Sequence, residues 1–351
     1  MNGLNAAVRF KGAPSVPRRP TKNSFGSSAW DRLCSSCAIS VRGRFLMLGN
    51  AAFISSYLIY SVSADTINGK GCGQFDQRER ESPGMNLDRF YQPWMVYILS
   101  HFDPRQYQTQ GPFECAGSII SPRFVLTSAH CLTNGKCTPT LVKVYYNTTV
   151  VERGPYVAAK DVFYHPDNDS VYWSNDIALL RLEESLRFDQ YVKPVCLGEK
   201  GAVHTHDEVA VPEWGLRKNQ DSPKMLYYST AKVVRFSQCK RNLGIPDIRT
   251  IKWRRTLLCT QSGGRNAMAG LSGGPITRIS QDKLAVQVGV GSHTFCKKDF
   301  RPSANTLVAP YIPWIKKVLN RCAMWERLSN SHDNPGKGND GHEESYETEI
   351  R

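Results

Sequence analysis

The stretch Met268-Ala269-Gly270-Leu271-Ser272-Gly273-Gly274-Pro275-Ile276 constrains this 351-residue chain more than any other. A serine set among glycines, just ahead of a proline, suits a turn that holds the hydroxyl out while backbone N–H groups point at an oxygen beside it. That is the local geometry acyl transfer needs. Read alone, the stretch fits a plain Gly-Ser turn equally well.

A hydroxyl nucleophile requires a base to take its proton and an acid to orient that base. Phe124-Val125-Leu126-Thr127-Ser128-Ala129-His130-Cys131 reads as an apolar strand ending at a histidine. Ser174-Asn175-Asp176-Ile177-Ala178-Leu179-Leu180-Arg181-Leu182 sets an aspartate just before a buried-looking strand. Singly, each has a structural explanation: a packed histidine beside a cysteine, and a cap or turn ahead of a strand. Together, in the order His, Asp, Ser, they resemble the chymotrypsin/trypsin family of serine proteases. Further matches between residues 81 and 320 are Gln92-Pro93-Trp94-Met95-Val96-Tyr97, Glu114-Cys115-Ala116-Gly117-Ser118, Val192-Lys193-Pro194-Val195-Cys196, Glu213-Trp214-Gly215 and Tyr311-Ile312-Pro313-Trp314-Ile315.

The resemblance implies an all-β fold: two six-stranded antiparallel β-barrels with a short C-terminal helix and an active site in the cleft between them. Strand-like runs such as Leu141 to Tyr146 and Leu284 to Val290, separated by turn residues, agree with that class. The resemblance also assigns roles. Ser272 is the nucleophile, His130 the base, Asp176 its orienting acid, and the backbone N–H groups of Gly270 and Ser272 form the oxyanion hole. Ser292 matches a cleft serine that hydrogen-bonds the aspartate and helps hold it ionised. The implied partner is a protein or peptide substrate, with no cofactor and no metal.

Charge and composition set the flanks. Residues 1–44 hold eight Lys or Arg against one acid, +7 of the formal +14, and read as a basic disordered leader. They lack the interleaved aromatics of a nucleic-acid surface, so nucleic acid is not an expected partner. Residues 45–64 are uncharged and mostly apolar, follow Arg42 and Arg44, and end in Val62-Ser63-Ala64. They read as a signal peptide, or as a signal anchor if left uncleaved, the one case in which a membrane is a partner. A linker with Cys72 follows at 65–80, then the protease-like domain at 81–323. The segment 324–351, rich in Gly, Asn, Ser and acids, reads as a polar disordered tail.

Nine of the eleven cysteines follow the apolar segment, which fits an oxidising, extracellular destination and a secreted protein. The resemblance implies the pairs Cys115–Cys131, Cys239–Cys259 and Cys72–Cys196, and leaves Cys137, Cys296 and Cys322 without a family partner. Asn147-Thr148-Thr149 and Asn168-Asp169-Ser170 are glycosylation sequons.

Several positions depart from the family pattern. An aspartate ordinarily precedes the nucleophile and pairs with a terminal ammonium released by cleavage. Here Leu271 stands in that place, and Glu81-Ser82-Pro83-Gly84 follows the expected cleavage point at Arg80. Burying an ammonium against leucine without its carboxylate would cost about 3–5 kcal/mol, so the usual activation switch is lost on both sides. Among the expected substrate-binding residues, Asn266 replaces a carboxylate at the specificity-pocket base, removing the ion pair for Arg or Lys substrates. Met268 replaces the expected partner of Cys296. Ser303 and Thr294 stand where glycines are usual, and Asn305 where a tyrosine is. Two functions follow: a secreted serine endopeptidase without trypsin-type specificity, or a silent homologue that binds a partner protease.

Overall fold

The computed structural model describes residues 66–75, 92–105, 111–133, 137–169, 174–215, 225–243, 254–262, 272–293 and 302–332. The leader at 1–44, the apolar segment at 45–64, Arg80 and Glu81 lie outside the described residues. Among the described residues, no helix is long and apolar enough to cross a membrane.

The first barrel contains β1 (Met95–His101), β2 (Phe113–Ile119), β3 (Phe124–Thr127), β4 (Leu141–Tyr145), β5 (Tyr156–Tyr164) and β6 (Ala178–Leu182). Its strand order is β1-β2-β3-β6-β5-β4, and β1 pairs with both β2 and β4, so the sheet closes and no edge is left unpaired. Six successive residues of β1, Met95 to Ser100, are buried on both faces of the strand. One face fills the barrel. On the other, Tyr97 meets Trp214 of the second barrel edge-on, with ring centroids 5.9 Å apart.

The second barrel is built from β8 (Glu208–Gly215), β9 (Met225–Val233), β10 (Leu257–Ser262), β11 (Pro275–Ile279), β12 (Ala285–His293) and β13 (Ser303–Leu307). These run in the order β11-β8-β9-β10-β13-β12 and close through β11–β12. The expected pair of six-stranded antiparallel barrels is therefore present. To it the structure adds a two-residue strand from the inter-barrel linker, β7 (Cys196–Leu197), parallel to β12.

Helix α1 (Phe236–Leu243) packs on the second barrel, and helix α2 (Ile312–His332) follows β13. Ile312, Ile315, Leu319 and Cys322 of α2 repeat at three- and four-residue spacing, forming one buried stripe against the first barrel's core. Cys322 lies beside Arg181 of β6. The helix continues through Met324 to His332, into the segment read above as tail. Glu326 of that extension pairs with Arg123, half-exposed, a contact worth about 0–1 kcal/mol.

Ahead of the barrels, residues 66–75 are fastened to the linker. Asn68 bonds twice with Leu197, its Nδ2 donating to the carbonyl at 3.0 Å and its Oδ1 accepting from the N–H at 2.6 Å. Cys72 is disulfide-bonded to Cys196. Gly73 sits at φ 70° between the carbonyl of Pro194 and the N–H of Ala285, and a Cβ there would lie 2.4 Å from the Ala285 oxygen. The disulfide closes a span of 124 residues, so Cys72→Ser is expected to lower unfolding stability by about 2–5 kcal/mol. Denaturant titration of the variant checks this, with unchanged stability as the contrary result.

Candidate active site

Strand β3 is buried throughout, and Ser128 follows it into a single 3₁₀ turn, Ala129–Cys131, that carries His130 to the surface. Contacts from neighbouring strands hold this turn. Cys131 is disulfide-bonded to Cys115 on β2, and Tyr164 donates from its hydroxyl to the carbonyl of Leu132 at 2.5 Å. The His130 side chain is left 20 % exposed.

Asp176 sits just ahead of β6 and is 1 % exposed. Asn175 before it takes a left-handed conformation, φ 51°, and is held by Tyr311, whose hydroxyl donates to its Oδ1 at 2.8 Å. The Asp176 carbonyl accepts from the Thr306 hydroxyl at 2.8 Å. Its carboxylate meets three donors. The His130 backbone N–H reaches Oδ1 at 2.9 Å, while His130 Nδ1 (2.7 Å) and the Ser292 hydroxyl (2.5 Å) both reach Oδ2. Burial alone would raise this carboxyl. The His130 ring charge and the bonds from His130 and Ser292 outweigh it and hold the group below the usual carboxylate range. An ionised carboxylate only accepts, so Nδ1 of His130 donates to it and Nε2 is the ring nitrogen left over for other chemistry.

Ser272 is anchored from its C-terminal side. Its carbonyl accepts from the Ala116 N–H on β2 at 2.7 Å, Gly273 N–H donates to Gly291, and Gly291 N–H donates to Gly274, both at 2.8 Å. Gly273 has φ 86°, and a Cβ on it would lie 2.2 Å from Thr127 Oγ1 and 2.3 Å from the Ala116 carbonyl. Only glycine fits there. The serine loop therefore presses on β2 and β3 beside the Cys115–Cys131 disulfide, on the same two strands that deliver His130.

The remaining expected residues are spread around this centre. Ser292 lies on β12 with its hydroxyl on Asp176. Ser303 lies on β13 opposite Thr260, and Asn305, two residues on, is buried with its Nδ2 donating to Thr260 Oγ1 at 3.0 Å and to the Leu258 carbonyl at 3.2 Å. Cys239 is disulfide-bonded to Cys259. Asn168 donates through Nδ2 to the carbonyls of Ser174 and Asn175, closing the loop ahead of Asp176. Asn147 takes a left-handed turn at φ 50°. Gly270, Leu271, Asn266, Met268, Thr294 and Cys296 lie outside the described residues. Ligand atoms of Cys115, His130 and Cys131 cluster within 4.8 Å, but the two sulfurs are joined to each other and offer no thiolate to a metal.

Thr127, Tyr164, Thr306 and Tyr311 support the centre without having been singled out as site residues in the sequence. The only prior signals were that Thr127 precedes the histidine and that Tyr311 opens the closing motif.

A family model described as Trypsin matches residues 89–315. Serine proteinase stubble of Drosophila melanogaster is 29% identical over 239 residues, 64% of this chain and 29% of that protein, so the match spans less than a third of its length. Chymotrypsin-C of Rattus norvegicus is 30% identical over 235 residues, covering 65% of this chain and 84% of that one. Among solved structures, HL collagenase superposes with a TM-score of 0.56 at 20% identity, over 68% of this chain and 98% of that one.

Two outcomes follow from the geometry. Gly273→Ala should destabilise the chain by more than about 1 kcal/mol, read as a drop in the urea midpoint. The lowered Asp176 group contributes stability that is complete above its unfolded value of about 4 and is lost as pH falls through its folded value. Asp176→Asn should therefore flatten the acid limb of the stability profile below about pH 5, and an unchanged limb would contradict the assignment.

Proposed function

We propose a function from one premise: the chain belongs to the trypsin family of serine proteases. It acts as a secreted serine endopeptidase on protein or peptide substrates. Ser272 Oγ attacks the scissile carbonyl while His130 Nε2 takes its proton and then delivers it to the leaving amine. Asp176 stays ionised and keeps the ring in the tautomer with Nδ1–H. The N–H groups of Gly270 and Ser272 hold the developing oxyanion, and losing one such donor typically costs about 10²–10³ in rate. Water then enters in place of the amine, and the same histidine activates it.

The observation that carries this reading is the buried Asp176 carboxylate with its three donors, two from His130 and one from Ser292. That arrangement fixes the His130 ring against the carboxylate through Nδ1, as the orientation of a general base requires. Secretion is supported by the apolar segment at 45–64 and by disulfides, which persist in oxidising compartments. Asn266 at the pocket base argues against Arg or Lys specificity, and Leu271 with Glu81 against the usual N-terminal switch. Those last two residues also favour a second reading, a silent homologue that binds a partner protease through the same cleft.

A fluorophosphonate probe separates the two. The secreted, uncleaved chain is expected to label, and Ser272→Ala to abolish the label. Absence of labelling both before and after cleavage at Arg80 would establish the silent homologue instead.

A further inference from the structure

Strand β12 carries one residue more than its partner. Ile276 of β11 pairs with Gly289 and Thr277 with Gln287, which leaves Val288 as a bulge. Bulges re-aim the strand beyond them, and the strand beyond this one carries Ser292, one residue before its end, onto the Asp176 carboxylate. Gln287 spans the bulge, its Nε2 donating to the Gly289 carbonyl at 3.0 Å. Its Oε1 leaves the second barrel altogether and accepts from the Ser118 hydroxyl of β2 at 2.6 Å. Both residues are fully buried. The Gln287 backbone also pairs with Leu197 of β7, and its carbonyl accepts from Gly198 at 2.9 Å. One residue thus touches both barrels and the linker between them.

The two ends of this contact lead to opposite sides of the cleft. Ser118 lies two residues from Ala116, which holds the Ser272 carbonyl, and three from Cys115, which is bonded to the neighbour of His130. His130 and Asp176 belong to the first barrel, whereas Ser272 and Ser292 are carried by the second. We propose that Gln287 with Ser118 is a positioning pair that fixes the two barrels against each other and so aligns Ser272 and Ser292 with His130 and Asp176. A buried amide has few partners to choose from, and an unpaired one is costly, so the contact tolerates one relative placement of the barrels. The alignment role rests on the proteolytic reading above, but the contact itself does not.

Two variants test it. Gln287→Met keeps the bulk and removes both hydrogen bonds. The rate of fluorophosphonate labelling at Ser272 is expected to fall about 10-fold to 100-fold, as small misalignments of reacting groups do. Gln287→Glu adds a readout that a merely structural role would not move. When protonated, its O–H replaces the amide donor toward Gly289 and its other oxygen still accepts from Ser118. When ionised, it faces the Gly289 carbonyl with no proton to give. Its labelling rate, taken as a ratio to the native chain at each pH, should approach parity at pH 5 and decline toward pH 8. A flat ratio overturns the proposal. If the native chain does not label, the proteolytic reading fails by itself, and the downfield proton resonance of His130 Nδ1–H takes over as the readout. In Gln287→Glu that resonance should match the native chain at pH 5 and depart from it at pH 8, because Ser292 shifts on the shared carboxylate. A match at both values overturns the proposal.

Discussion

A carboxylate shut away from water is the constraint around which this protein is arranged. Asp176 is 1 % exposed and ionised, and a charge so placed costs several kcal/mol unless its oxygens are fully engaged. The groups that engage it come from distant parts of the chain. His130 arrives on a turn after β3, Ser292 at the far end of β12, and Thr306 from β13 grips the backbone at the same residue. No single element could supply all of them. Satisfying one side chain requires both barrels to close and to face each other, so the centre and the fold stand or fall together.

The candidate site residues were readable because their signals are local. A histidine at the end of an apolar strand, an aspartate at the start of another and a serine among glycines each occupy fewer than ten residues. The two barrels and the disulfide pairs were legible through the family likeness those signals carried, not through spacing or composition. What the chain hides is pairing at a distance. Ser118 and Gln287 each look like an ordinary strand residue, and their bond depends on the register of two barrels whose strands lie 169 positions apart. The parallel strand β7 is invisible for the same reason, since two residues carry no periodicity. The C-terminal helix ran beyond its expected end because the apolar stripe that buries its first turns stops near Cys322, while nothing in the following residues breaks a helix.

The loop around Ser272 is held in place from its downstream side. Downstream of the serine, three backbone hydrogen bonds and the tight seat of Gly273 fix its main chain to β2, β3 and β12. Gly273 thereby joins the seat of Ser272 to the strands that lead to His130 on one side and to Ser292 on the other.

Residues 66–75 are tied to the barrels by more than the chain that joins them. They are bonded to the linker through Asn68, Gly73 and the Cys72–Cys196 bridge, and Phe75 packs edge-on against Trp94 at 6.1 Å. A break in the chain anywhere between Phe75 and Gln92 would create two new ends without releasing any mass. Residues 66–75 would stay in fixed one-to-one proportion with the barrels across such a break, as a covalent passenger and not a fragment to be shed.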